Sequence, residues 1–447
     1  MAKDLPGFIT EIKETFPQEI LEIHRPVDPN NFDVSAILQH LENKGQFPMV
    51  LFHAPKNLRG EASSFPVVVN LFAQRERSAI ALGFPPEQSQ MPLSLEFARR
   101  EQLRLMPQVV SPLEAPVKEV VEMGEDADVR KFPGVRQHHM NLGAYFTMLV
   151  VVKDPDEGFY EASFIKTYPK APRRMGISVT SPHVSRIRQK YEARGLPTPI
   201  INILGHHPAF SLGTLSATPF GNNDYETIGA FMGEPLRLVA SETWGDDFLV
   251  PADAEIVIEG ELELGVMEIL QPYGEVTRHY QPQSLKPVMR VTSITHRRHA
   301  IMEDVFCGHV GHWILGAIPK EGSVYNSVRK KFADVTAVHI PNSGCGRLSC
   351  YVAIKKSHEG EPKWVALETL TVNREFQWVV VVDDFIDVFN EQDVMWAFFT
   401  TVDPSRDITV IENIVPTPPP VTARSSSMPP SPWIALSRSP SRCRRRP

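Results

Sequence analysis

The run Leu270-Gln-Pro-Tyr-Gly-Glu275, continued by Val276-Thr277-Arg278-His279, sets one carboxylate close to an arginine and a histidine. Pro272 and Gly274 favour a tight turn that presents Glu275. A carboxylate on a rigid turn, tuned by neighbouring cations, is suited to general acid or base work. A solvent-facing glutamate is the plain alternative for this segment taken alone. A second constellation lies upstream, in Glu161-Ala-Ser-Phe-Ile-Lys166. Strand alternation puts Glu161, Ser163 and Ile165 on one face and Ala162, Phe164 and Lys166 on the other. His183 follows at the start of a helix opened by Ser181-Pro182, where free N–H groups attract anions. A carboxylate, a hydroxyl and an ammonium beside a helix start suit a phosphate with its cation.

Other signals are weaker. The histidine pairs His138/His139, His206/His207 and His309/His312 are read as structural or exposed, and Gly311 argues against a helical His309/His312 metal pair. Cys307, Cys345, Cys350 and Cys443 form no C-x-x-C pair and are read as reduced thiols. Nucleotide-binding fingerprints of the G-x-G-x-x-G and G-x-x-x-x-G-K-[ST] kinds are absent, as is G-x-S-x-G.

These groups need elements to hold them, and 447 residues exceed what one ordinary core accommodates. Residues 1–112 mix helical and extended patterns and read as an α/β domain. Residues 113–314 are strand-rich, with runs at Phe146 to Val152, Ile200 to Leu204, Leu236 to Ser241, Ala254 to Leu262 and Val288 to Ile294, interrupted by a helix over Pro182 to Arg194. A barrel or sandwich with peripheral helices fits that pattern. Residues 315–414 return to α/β, with a helix over Ser323 to Phe332. Residues 415–447 are rich in Pro, Ser and Arg, lack Asp and Glu, and are expected to be a disordered tail. That tail reads either as an arm for an anionic surface or as a non-native C-terminus. The net charge of −7 argues against nucleic acid as the main partner. With no secretory signal and no apolar run long enough to span a bilayer, a soluble cytoplasmic protein is expected.

Taken together, these segments resemble the UbiD-type decarboxylases. The resemblance covers the strand from Phe65 to Arg77, the Glu161 to His183 region, the turn Gln271 to Glu275, Leu315-Gly-Ala-Ile-Pro319, Asn342-Ser-Gly-Cys-Gly-Arg347, Ile354-Lys-Lys356 and Asp383-Asp-Phe-Ile-Asp-Val-Phe-Asn390. It is collinear from about residue 20 to 414. It implies a multidomain α+β and α/β fold, with an N-terminal α/β domain, a central split β-barrel-like flavin-binding domain and a C-terminal α/β domain. It further implies a homodimer or higher homo-oligomer, and non-oxidative, reversible decarboxylation of an aromatic, heteroaromatic or α,β-unsaturated acid. The implied cofactor is prenylated FMN, supplied by a separate flavin prenyltransferase and bound with Mn2+ or another divalent cation and K+.

Carried over by position, the resemblance assigns Glu161, His183 and Asp224 to the metal. It assigns Ser163, Phe164, Ile165, Lys166, Pro182, His183, Ala217, Thr218 and Pro219 to the cofactor, and Lys166 and Glu275 to catalysis. Lys166 stands where the family has arginine, and Leu270 where it has an acid. Glu268 and His279 are the nearby candidates to replace that acid. The two departures also suggest a second role, a non-catalytic or assisting subunit of a multi-subunit (de)carboxylase.

Overall fold

The computed structural model describes residues 3–411 and the backbone of Trp433–Leu436. The chain forms two compact units. One comprises the residues up to Phe84 together with Arg100–Gly311; the other comprises Pro85–Arg99 together with the chain from His312 onward.

In the first unit, a four-stranded sheet runs in the order Ile20–Ile23, Met49–Phe52, Val67–Val69, Met302–Glu303. Its first two strands are parallel, with Ile23 opposite Phe52. The helix Leu5–Thr15 starts at Asp4, whose carboxylate accepts from the Gly7 amide at 2.8 Å, and buries Leu5, Phe8, Ile9 and Ile12 on one face. The helix Asp33–Asn43 follows.

The strand-rich expectation for the middle of the chain resolves into a closed six-stranded antiparallel barrel. Its order is Ile256–Leu270, Thr198–Ile203, Phe146–Lys153, Tyr160–Ala171, Arg174–Ile177, Ser284–His296. Pairing of the last strand with the first closes it, and Val120–Met123 adds outside Ser284–His296. Closure removes the free edges that would otherwise invite further pairing. Side chains of Phe146, Met148, Val150, Ile201, Ile203, Val257 and Ile294 are fully buried. The helix Pro182–Ala193 begins as the sequence indicates, with the Ser181 hydroxyl accepting from the Val184 amide at 3.3 Å.

The second unit is built on a five-stranded sheet in the order Val335–His339, Ser349–Ile354, Trp378–Asp383, Trp433–Leu436, Ile408–Val410. Val338, Val352, Val379 and Val381 from its strands pack with Val324, Val328, Val365 and Ala366 from helices. The expected tail lies outside the described residues except for Trp433–Leu436, which form a strand there. Among the described residues no helix is long and apolar enough to cross a membrane.

One helix departs from its expected bounds. It runs over Val310–Arg329, with Pro319 inside, instead of starting at Ser323. Gly311, read from sequence as a helix breaker, is there for clearance: an added Cβ would lie 3.3 Å from the Ala73 amide nitrogen. Tertiary packing outweighs the residue's poor propensity.

Barrel closure rests on a close backbone approach at Gly260. Its partner in the ladder is Val291, and the register shifts between Glu259 and Gly260. A Cβ there would sit 2.4 Å from the Arg290 carbonyl oxygen and 2.8 Å from Met289 Cε. Gly260→Ala is therefore expected to cost about 1–3 kcal/mol by overpacking, read as a lower thermal midpoint. An unchanged melting curve would show that the seam is slack.

Candidate active site

Lys166 and Glu275 meet inside the barrel unit. Lys166 lies on Tyr160–Ala171, opposite Thr147, and Glu275 on the turn that follows Ile256–Leu270. Lys166 Nζ lies 3.2 Å from Glu275 Oε1, with side chains only 12% and 19% exposed. Burial alone would lower the Lys166 pKa, but interaction with the ionisable groups of Cys307, Glu275 and Tyr273 outweighs it; the Glu275 carboxylate is the direct partner, and the ammonium stays charged. The Tyr273 ring centroid is 5.0 Å from Nζ, a cation–π contact.

The turn itself is tied down at both ends. The Glu275 amide donates to the His279 carbonyl at 2.8 Å, and the Arg278 amide to the Glu275 carbonyl at 2.9 Å. Arg278 sits at φ 62 and donates from Nε to the Gly308 carbonyl at 2.6 Å. Gly274 packs directly on His138, since an added Cβ would fall 2.1 Å from its Cδ2. His138 Nε2 is 2.9 Å from the Cys307 carbonyl, an acceptor, so Nε2 carries the proton. Burial lowers the His138 pKa and Lys166 and Arg278 add to that effect, against the Cys307 carbonyl, so the ring is neutral.

Leu270 is buried in a cluster with Tyr145 and Tyr273, flanked by Tyr168. Gly176 leaves room for it, with Leu270 Cδ1 3.1 Å from where a Cβ would stand. Tyr273 shares a 2.7 Å hydrogen bond with Ser178 Oγ, and Tyr145 donates to the Gln271 carbonyl at 3.1 Å. The candidate replacements for the family acid are both engaged elsewhere. Glu268 is bound by Lys170 at 2.6 Å and Arg174 at 2.7 Å, and His279 is exposed against Thr277. His138, Tyr273, Ser178 and Cys307 thus belong to the surroundings of Lys166, and of these only Tyr273 lies in the turn that the sequence singles out. The sequence by itself reads His138 as structural or exposed.

The expected metal residues gather on the same unit. His183 Nδ1 lies 3.2 Å from both Glu161 oxygens. Asp224 accepts from the Ala162 amide at 2.8 Å and from Thr218 Oγ1 at 3.1 Å. Burial pushes Glu161 up to about 7. Burial and then the charge of Glu161 push Asp224 up to about 7 against those hydrogen bonds and His183. The ligand atoms of this trio do not all lie within 4.8 Å of one another; among the described residues a different trio, Glu22, His24 and His53, has that spacing.

Of the residues expected at the cofactor, Ser163, Phe164, Ile165 and Lys166 share the one strand, and Pro182 and His183 open the helix. Two of the others are already committed. The Ala217 amide donates to Glu101 Oε1 at 2.5 Å, and the Thr218 hydroxyl is the donor to Asp224. Pro219 accepts, through its carbonyl, the Asn222 amide at 3.2 Å.

This barrel, with a lysine–glutamate pair at one point and a histidine flanked by buried acids at another, matches known proteins along most of its length. Residues 16–91, 108–310 and 313–426 match the N-terminal, Rift-related and C-terminal domains of 3-octaprenyl-4-hydroxybenzoate carboxy-lyase. The chain belongs to the UbiD family of carboxy-lyases, and its kind of activity is decarboxylation. A phenolic acid decarboxylase of Sedimentibacter hydroxybenzoicus is 29% identical over 432 residues, covering 92% of this chain and 86% of the relative. The UbiD-class enzyme HmfF from Pelotomaculum thermopropionicum, solved with FMN, is 30% identical at a TM-score of 0.88, covering 97% of this chain and 93% of that one. An evolved dimeric form of HmfF, solved with prFMN, is 29% identical at a TM-score of 0.89, covering 100% and 97%.

The raised acids make a stability prediction. For a carboxyl whose folded pKa exceeds its unfolded value, the folded state holds more protons, so stability falls as pH rises from the unfolded value toward about 7. Asp224→Asn removes that repulsion. It is expected to raise the melting temperature of the metal-free protein by several degrees at pH 8 and to change it little at pH 4. An equal shift at both pH values would contradict the assignment.

Proposed function

We propose that this chain decarboxylates an aromatic or heteroaromatic carboxylic acid with prenylated FMN as cofactor. The observation that carries this reading is the buried Lys166–Glu275 pair, set against the apolar wall of Leu270, Tyr145 and Tyr273. A planar ring suits that wall, and an ammonium suits the acid's carboxylate. The likeness to enzymes named for phenolic substrates and solved with FMN or prFMN supports it.

The residues present fit a flavin phosphate bound with a divalent cation. Glu161 and Asp224 are buried acids that repel each other, and the His183 ring lies against Glu161. Hard oxygen donors with one imidazole suit Mn2+. The helix starting at Pro182 adds a site for anions beside them. Glu161, His183 and Asp224 would hold the cation. Ser163 to Lys166, Pro182, His183 and Ala217 to Pro219 would contact the cofactor, with Glu101 giving up the Ala217 amide. When bound, the prenylated flavin supplies the electron sink for breaking the carbon–carboxylate bond.

The chain's own residues supply charge and a proton. Lys166 pairs with the substrate carboxylate and orients it. That carboxylate then takes the place of Glu275 at the ammonium, and Glu275 holds the proton to be delivered. After CO2 departs, Glu275 delivers its proton to the carbon that lost it. Lys166 stabilises the resulting carboxylate, and solvent returns the proton through the partly exposed face of Glu275. One proton is consumed for each CO2 released. With Leu270 apolar and Glu268 bound elsewhere, Glu275 works without a second acid. Lysine in place of arginine keeps the charge but gives up the two-pronged grip on the carboxylate.

The loss of that acid also favours a second reading, an assisting subunit of a multi-subunit (de)carboxylase. Co-expression with a flavin prenyltransferase separates the two. The active enzyme is expected to bind flavin and to release CO2 from an aromatic acid, with deuterium entering the product in D2O. Flavin binding without turnover over a broad acid panel would favour the assisting role, and absence of flavin would sink the decarboxylase reading.

Two substitutions test the roles. Glu275→Gln should lower kcat by about 100-fold or more with flavin content unchanged. Lys166→Met should raise KM and lower kcat together, while Lys166→Arg keeps substantial activity. Near-normal turnover by Glu275→Gln would remove it as the proton donor.

A further inference from the structure

We infer that Glu22, His24 and His53 form a binding site for a divalent transition metal such as Zn2+, separate from the barrel and from its acid pair. The backbone builds it. Ile20–Ile23 and Met49–Phe52 are parallel neighbours, with Glu22 opposite Leu51 and Ile23 opposite Phe52. His24 and His53 are the residues that follow the two strands, so they leave the sheet side by side. Glu22, two residues before His24, shares its face. The outcome is a mixed carboxylate and imidazole trio whose ligand atoms all lie within 4.8 Å of one another.

The detailed geometry points to coordination rather than to a plain ion pair. The His24 and His53 rings stack at 4.3 Å with an interplanar angle of 9°, so the two imidazoles lie side by side with ligand atoms within 4.8 Å of each other and of a Glu22 oxygen. His53 Nε2 is already 2.7 Å from Glu22 Oε2. Lys13 Nζ sits 3.0 Å from that same oxygen, a positive charge where a metal ion would bring more. Exposed ion pairs of this kind contribute little by themselves and give no reason for a second imidazole. Two histidines and one carboxylate are a ligand set that zinc uses with its fourth position open. His24 is exposed and the Lys13 side chain is 36% exposed, so the ring can turn and the lysine can swing aside. A groove of about 690 Å3 runs past Glu22 and His24 and is also lined by Asp33 and His40, so the fourth position faces solvent and an exchangeable ligand. Bound there, the metal would clip together the ends of two strands that no covalent link joins.

The test is a zinc titration of chelator-treated full-length protein, followed by the visible absorption of the cobalt-substituted form. Wild type is expected to bind one more equivalent than His24→Ala and to show the intense bands of four-coordinate cobalt. His24 is exposed, so its loss leaves the fold intact, and any cation at Glu161 and Asp224 cancels in the comparison. His53→Ala should weaken zinc binding by about tenfold or more. Lys13→Gln should tighten it, because a competing cation is removed from the Glu22 oxygen. Equal stoichiometry and equal cobalt spectra in wild type and His24→Ala would overturn the proposal.

Discussion

Closure of the barrel between Ile256–Leu270 and Ser284–His296 is the constraint on which the site depends. Lys166 sits on a strand that does not pair with Ile256–Leu270. Only a sheet curled back on itself brings the turn after Leu270 to within 3.2 Å of that lysine. The seam in turn needs Gly260, where two backbones approach too closely for any side chain. A backbone requirement at one residue therefore carries through the ladder to the placement of two charged groups.

Within that frame the unit treats buried charge in two opposite ways. At Lys166 and Glu275 the charges are of opposite sign and partly screened from water, so pairing offsets the cost of desolvation and the lysine stays an ammonium. At Glu161 and Asp224 the charges are alike, and burial and mutual repulsion drive both toward neutrality. The first arrangement is complete in the protein alone. The second is complete only with protons or with a cation, and it stands at the start of a helix that favours anions. The barrel unit thus carries one buried ion pair that is self-sufficient and one pair of like charges that is not.

How much of this could be read from the sequence follows from distance along the chain. Local rules found the Ser181 cap, the helix after it, the runs that became barrel strands, and the alternation that separates Glu161 from Lys166. Resemblance from about residue 20 to 414 supplied the family and the pairing of Lys166 with Glu275. What stayed hidden was set by contacts between remote residues. His138 reaches the site because its ring is hydrogen-bonded to the Cys307 carbonyl, 169 residues away. Glu101 reaches the Ala217 amide across 116 residues. Gly311 looked like a breaker because its helix is held by packing and not by propensity. His24 and His53 carry no spacing motif, since a parallel strand pair, and not a helix, aligns them.

The substitution at Leu270 ties the chemistry back to packing. A carboxylate at that position would be buried among Tyr145, Tyr273 and Tyr168 with Glu275 close along the chain, and an unpaired buried charge there would be costly. Lysine in place of arginine fits the same change, because an ammonium needs one carboxylate partner where a guanidinium fork can serve two. The two departures that the resemblance implies are compatible in charge: with one acid gone, one point charge suffices for the acid that remains. The site that results has a single ion pair against an aromatic wall, and the proton delivery proposed for it rests on Glu275 alone.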